Sequence, residues 1–125
     1  MGGECTLKYL AGRKYFCTVE LSLQVIGGKW KPLILYRLSQ GEVQRFSELK
    51  RGIPSITQKM LTQQLRELED DGIVNRKVFA QVPPRVEYSL TDLGRSVMPV
   101  LEQLCQWGRA YEAHMGERLN DDEVA

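Results

Sequence analysis

The sequence predicts an α+β fold, mainly helical, built as one domain. Three observations carry that expectation. Apolar residues recur at helical spacing over residues 18–71, polarity alternates over residues 73–90, and helical spacing resumes after Thr91. At 125 residues and 42% hydrophobic content, the chain can bury one sizeable core but not two.

The elements follow in order. Residues 1–17 are mixed, end in Tyr15-Phe16, and read as an N-terminal arm. Thr18 is expected to cap a short helix carrying Val19, Leu21, Leu23, Val25 and Ile26, which Gly27-Gly28 stops. A second helix starts at Lys29, with Pro32 tolerated in its first turn. Its Trp30, Leu33, Ile34, Tyr36 and Leu38 cover more than one face, as in a central, buried helix, and Gly41 ends it. A third, short helix begins at Phe46-Ser47-Glu48-Leu49 with Ser47 as cap and closes at Gly52-Ile53-Pro54. The fourth is capped by Ser55 or Thr57, because Ser55-x-x-Gln58 fits a capping box, and runs to Asp71 before Gly72.

After Gly72 the period falls to two. Ile73–Ala80 reads as a strand, residues 81–85 as a loop containing Pro83-Pro84, and Val86, Tyr88 and Leu90 as one face of the return strand. Thr91 caps a long last helix with Asp92 in its first turn, where the helix dipole favours an anion. Leu93, Val97, Leu101, Leu104, Cys105 and Tyr111 form its apolar stripe, widened by Met98 and Trp107. Pro99 either kinks the helix or marks a later start. Residues 117–125 are acidic and are expected to be a disordered tail. Helices followed by a two-stranded wing make the winged helix-turn-helix plan, with the arm at 1–17, the winged core at 18–91 and the terminal helix at 92–116. A plain helical bundle leaves the alternation at 86–90 unexplained.

The net charge of +1 looks uninformative, but it is unevenly spread. Residues 1–86 carry 14 basic against 8 acidic side chains, and residues 87–125 carry 3 against 8. On a helical wheel, Met60, Leu61, Leu65 and Leu68 gather on one side of the fourth helix, and Lys59, Thr62, Gln63 and Arg66 on the other. Amide, hydroxyl and guanidinium groups are the types that bond base edges and phosphates. Residues 57–66 hold no acid, as an element approaching phosphates requires. An ordinary solvated helix face would give the same wheel. The flanking elements favour the sharper reading: a Gly-Ile-Pro-Ser turn precedes the helix, and a hairpin with Arg76, Lys77 and Arg85 follows. Cations on a wing suit the DNA backbone or minor groove. The expected DNA-contacting set is Ser55, Thr57, Gln58, Lys59, Thr62, Gln63, Arg66, Arg76, Lys77 and Arg85.

Five blocks in order resemble the HxlR-type transcription regulators. They are Ile26-Gly27-Gly28-Lys29-Trp30-Lys31 with Leu33-Ile34-Leu35; Phe46-Ser47-Glu48-Leu49; the run Ile56 to Leu68; Asp71-Gly72-Ile73-Val74; and Val82 to Thr91. The resemblance covers roughly residues 16–110. It implies a winged-helix homodimer of MarR-like architecture on an inverted-repeat operator, with the first and last helices forming the dimer interface and repression as the commoner mode. It also implies a cysteine just before the first helix that, in several members, senses electrophiles or oxidants. Cys17-Thr18-Val19-Glu20 keeps the Cys and the Glu but has Thr18 where Pro is common. Cys17 is therefore a candidate sensor, with a small packed apolar residue as the alternative. A lowered thiol pKa would require a helix N-terminus or cations such as Arg13 and Lys14 beside it. In some members a cysteine of the last helix joins the N-terminal one of the other subunit. Cys105 holds that place, with a buried thiol as the simpler state.

Other classes find little support. His114 is the only histidine, no nucleophile has a partner at readable spacing, and no glycine-rich phosphate loop follows a strand, so no enzyme, metal site or cofactor is expected. The three cysteines are too few and too scattered for a disulfide framework. No apolar run spans a bilayer, no export signal is visible, and Met1-Gly2 with Thr6 matches a myristoylation pattern only formally, so a cytoplasmic location is expected. The remaining rival is a winged-helix module that binds protein instead of DNA.

Overall fold

A computed structural model describes the backbone of residues 6–124 and the side chains of residues 6–117; Met1, Gly2 and Cys5 lie outside that range. The chain opens with a hairpin where the sequence suggests an arm. Strands β1 (Lys8–Leu10) and β2 (Arg13–Tyr15) pair antiparallel through a two-residue turn with Ala11 at φ 50° and Gly12 at φ 78°. Two positive φ values match the twist of the flanking strands. An Ala-Gly turn between three-residue strands carries too weak a signal to be read from the sequence.

Helix α1 (Thr18–Ile26) has Cys17, not Thr18, at its N-cap, and Cys17 makes no side-chain cap bond there. Glu20 instead accepts the Phe16 N–H at 2.7 Å. Gly27 is needed because a Cβ there would strike the carbonyl of Leu23, which the Gly27 N–H caps at 2.8 Å. No residue of α1 is buried, and Val19 and Leu23 are exposed. Helix α2 (Trp30–Leu38) is central as expected, with Ile34, Leu35 and Leu38 buried, although Leu33 and Tyr36 are exposed. Strand β3 (Gln44–Arg45) leads into α3 (Phe46–Gly52). The α3 cap is Arg45, not Ser47, and Glu48 takes the Arg45 N–H at 2.9 Å.

Helix α4 (Gln58–Asp70) is capped by Thr57, whose Oγ1 accepts from the Met60 N–H at 3.0 Å. At the far end the Ile73 N–H bonds to the Leu68 carbonyl and the Gly72 N–H to the Glu69 carbonyl, with Gly72 at φ 76°. Leu68 and Ile73 are both buried, which completes a Schellman stop with its apolar contact. Leu61, Leu65 and Leu68 are buried where α4 lies against α2 and the wing. Strands β4 (Val74–Phe79) and β5 (Arg85–Leu90) form the wing in the register Val74↔Leu90 to Phe79↔Arg85. The sheet has three strands in the order β3-β5-β4, and two-residue β3 is too short to show a period.

Thr91 caps α5 (Asp92–Arg95), not one long helix. Its hydroxyl donates to the Gly72 carbonyl at 2.6 Å and accepts the Gly94 N–H at 2.9 Å. The last helix, α6 (Met98–Val124), forms a second compact unit together with the residues around it. Pro99 sits in its first turn, the later start left open by the sequence. The helix continues through residues 117–124, where a disordered tail is expected, because no glycine or proline follows Gly116 to end the hydrogen-bond ladder. On α6, Val100, Leu104, Trp107 and Tyr111 are exposed at spacings of three and four, and the Trp107 and Tyr111 rings stack with centroids 5.3 Å apart.

Two ion pairs reach α4 from distant parts of the chain. Lys31 of α2 donates to Glu67 at 2.9 Å, with the lysine side chain 8% exposed and the carboxylate 43%. Arg13 of β2 donates to Asp71 at 2.6 Å. The hydrogen bond from Lys31 holds the Glu67 carboxyl below its ordinary value of 4.5. The bond that Arg13 donates to Asp71 raises its guanidinium above the usual range.

Two outcomes follow. Gly72→Ala should cost about 1 kcal/mol in urea unfolding, the usual cost of placing a side chain at positive φ. Gly94→Ala should cost more, because a Cβ there collides with the Ile73 carbonyl oxygen; equal losses would show that the wing–α5 junction relaxes freely. A lowered carboxyl pKa gives stability that is present above the unfolded value and lost as pH falls through the folded one. Stability measured from neutral pH downwards should therefore decline less steeply in Glu67→Gln than in the unaltered protein, and superimposable profiles would contradict the pairing.

Candidate nucleic-acid interface

The buried leucines fix the rotation of α4 and so decide which side chains face outward. Gln58, Lys59, Thr62, Gln63 and Arg66 are all exposed. Ser55 and Thr57 are exposed at the same end, Thr57 as the cap and Ser55 in the turn that joins α3 to α4. That turn is anchored by buried Ile53 and Ile56, with the Ile56 N–H bonded to the Ile53 carbonyl at 3.1 Å. The first turn of α4 contains no acid, so its free N–H groups and dipole face outward unopposed. Thr62 donates its hydroxyl to the Gln58 carbonyl at 2.9 Å. Its oxygen therefore meets an incoming partner as an acceptor.

The wing cations do not act as one group. Adjacent strand residues point to opposite faces, so Arg76 and Lys77 part company. Arg76, paired with Tyr88, lines a depression with Thr62, Arg66 and Glu69, which makes it continuous with the α4 face. Lys77 and Arg85 fall on the other face, where both lie over the Phe79 ring, at 5.0 and 4.2 Å. Arg85 also meets Glu87 at 3.3 Å. Arg76 thus joins the helix, while Arg85 has partners within the wing.

The sequence reading overlooked the ion pairing of two of the four acids at the end of α4. Glu67 and Asp71 flank the outward face, and Lys31 and Arg13 offset them. These partners lie 36 and 58 residues away along the chain, so no local pattern announces them.

Cys17 is half-buried at the start of α1 and lines a shallow depression with Val19, Glu20, Leu23 and Gln24. Of the two cations expected beside it, Arg13 is bonded to Asp71. Cys105 is half-buried on α6. Among the described residues no group of three or more His, Cys, Asp or Glu is placed to hold a metal ion, and no helix is long and apolar enough to cross a membrane.

Comparison with known proteins gives a consistent result. Residues 25–115 match the model of the HxlR-like helix-turn-helix family. The HTH-type transcriptional regulator YkvN of Bacillus subtilis is 60% identical over 99 residues, which is 79% of this chain and 83% of that protein. The redox regulator HypR in its reduced form superposes with a TM-score of 0.75 at 51% identity, covering 81% of this chain and 99% of that one; its oxidised form gives 0.71 at 56% identity over 75% and 96%. Diamide-treated YodB from B. subtilis superposes with a TM-score of 0.64 at 35% identity, covering 75% and 92%. By the extent of that match, and by its winged architecture, the chain belongs to the HxlR-like helix-turn-helix family.

Proposed function

We propose that this protein is a sequence-specific DNA-binding transcriptional regulator that represses from an inverted-repeat operator as a homodimer in the cytoplasm. The observation that carries the reading is the outward face of α4: exposed, free of acid from Gln58 to Arg66, and extended by Arg76 of the wing. Helices of this kind enter the major groove N-terminus first. Ser55, Thr57 and Lys59 suit phosphates near the helix start; Gln58, Thr62, Gln63 and Arg66 suit base edges; Arg76 suits the adjoining backbone. Lys77 and Arg85 contribute from the opposite face of the wing. Exposed Val19 and Leu23 on α1, and the stripe Val100, Leu104, Trp107 and Tyr111 on α6, supply the apolar surface that pairing of two copies would cover. The work is recognition, not catalysis.

Cys17 is proposed as a sensor of oxidants or electrophiles. It is a thiol at a helix start beside an exposed apolar face, and solved relatives include a redox regulator in oxidised form and a diamide-treated regulator. Cys105 is the candidate partner thiol from a second subunit.

Gel-shift titration against salt tests the DNA reading: affinity should fall steeply, with a log–log slope of about 0.9 per neutralised phosphate. A flat response would point to a protein partner instead. Gln63→Ala and Arg66→Ala should each lose ~1–3 kcal/mol of specific binding; full retention of affinity and specificity would show that another face reads the DNA. If Cys17 senses, diamide should release the unaltered protein from DNA and leave Cys17→Ser bound. An unaltered protein indifferent to diamide would leave Cys17 with a packing role.

A further inference from the structure

A depression lies at the seam between α4 and the wing, lined by Thr62, Arg66 and Glu69 of the helix and by Arg76 of β4 and Tyr88 of β5. Arg76 and Tyr88 stand directly opposite each other in the wing register, so their side chains share one face of the sheet. Tyr88 is only 9% exposed, as a core residue would be. A buried tyrosine usually finds a hydrogen-bond partner for its hydroxyl. The Tyr88 hydroxyl has none among the described residues, yet its oxygen is not sealed from water. Arg66 and Arg76 are exposed and form no ion pair among the described residues. Two guanidiniums are thus set against the single carboxylate of Glu69, and the lining is net positive.

We propose that this depression is a seat for one phosphate of the DNA backbone, in which the Tyr88 hydroxyl donates to a phosphate oxygen and Arg76 supplies the charge. The inference rests on α4 being the DNA-reading helix. A helix in the major groove brings the bordering backbone against the elements beside it, and here that element is the wing. The depression has a volume of about 230 Å3, several times the ~30 Å3 share of one water, so a phosphate group has room there. The donors suit an oxyanion. Arginine offers a fork of N–H groups that matches phosphate geometry. Thr62 gives its hydrogen to the Gln58 carbonyl, which leaves Tyr88 as the hydroxyl free to donate. Because the Tyr88 ring is already packed, its hydroxyl is in place before DNA arrives, and little rotamer entropy is lost on docking. Such a contact carries no sequence information of its own. It fixes the register of α4 along the groove, and so which bases Gln63 and Arg66 meet.

The test uses the full-length protein, a duplex that it enriches from a library of randomised inverted-repeat half-sites, and copies of that duplex with a neutral methylphosphonate at each backbone position in turn. Tyr88→Phe removes the hydroxyl and keeps the ring. Its urea midpoint should match that of the unaltered protein, since the hydroxyl has no partner to lose; a lower midpoint would show it bonded within the protein and overturn the proposal. Affinity for the enriched duplex should fall about tenfold, as for the loss of one hydrogen bond to a charged group. The slope of affinity against salt should stay the same, because no cation is removed, whereas Arg76→Ala should lower it by about one phosphate. At one backbone position per half-site, methylphosphonate should weaken the unaltered protein more than Tyr88→Phe; elsewhere the two should lose equally. Equal losses at every position, or full affinity in Tyr88→Phe, would overturn the seat and leave the DNA reading standing. An unaltered protein that enriches no duplex would end the DNA reading, and the seat with it. Inorganic phosphate, titrated into the DNA-free protein and followed by phosphorus NMR, separates a free ligand from the backbone. No binding below millimolar concentration is expected, and tight binding that Tyr88→Phe abolishes would replace the backbone assignment with a free phosphate ligand.

Discussion

Leu61, Leu65 and Leu68 form a buried ridge along α4, and Ile34, Leu35 and Leu38 are buried on the adjoining α2. Truncating a buried leucine to alanine costs about 2–5 kcal/mol, whereas an exposed polar side chain changes stability by only a few tenths. The apolar edge therefore sets the rotation of the helix, and the polar edge is free to vary with what it must recognise. A helix turned by a single residue would move Gln63 and Arg66 about 100° away from the groove. The Schellman stop at Gly72 and the hydroxyl of Thr91, which ties the start of α5 to the Gly72 carbonyl, hold the wing against the end of that helix. Arg76 then falls beside Arg66, without a long loop to carry it there.

Electrostatics follow from the same placement. The near-neutral total hides a basic first part and an acidic last part. Within the basic part, two of the four acids at the end of α4, Asp71 and Glu67, are matched by Arg13 and Lys31. Neither pair is deeply buried on both sides, so each contributes modestly to stability. Their larger effect is local: they offset Glu67, at the edge of the reading face, and Asp71 beyond it, and hold both carboxylates in place.

Much of this was legible in the sequence because periodicity and punctuation were strong. The leucine spacing of α4, the stop at Gly72, the alternation at 86–90 and the Thr91 cap each reported one local physical requirement. The hairpin at 8–15 was not legible, since its turn relies on Ala11 at positive φ and its strands are three residues long. The caps were misplaced by one or two residues where a glutamate bonding backwards, Glu20 or Glu48, replaced the expected hydroxyl. The split between Arg76 and Lys77 was implicit in the strand reading, but which of the two joins the α4 face needed the structure, where Arg76 lies with Thr62 and Arg66. The bracing of Glu67 and Asp71 depends on contacts far apart in the chain, and no window of sequence contains them.

The central claim is that α4 lies in the major groove with its Gln58–Arg66 face on the bases. Dimethyl sulfate reports this directly, since it methylates guanine N7 in the major groove and adenine N3 in the minor groove. On a duplex enriched by the protein, the account predicts protection of guanine N7 within both half-sites, with adenine N3 there still reactive. Protection confined to adenine N3, or no protection in the half-sites, would contradict it.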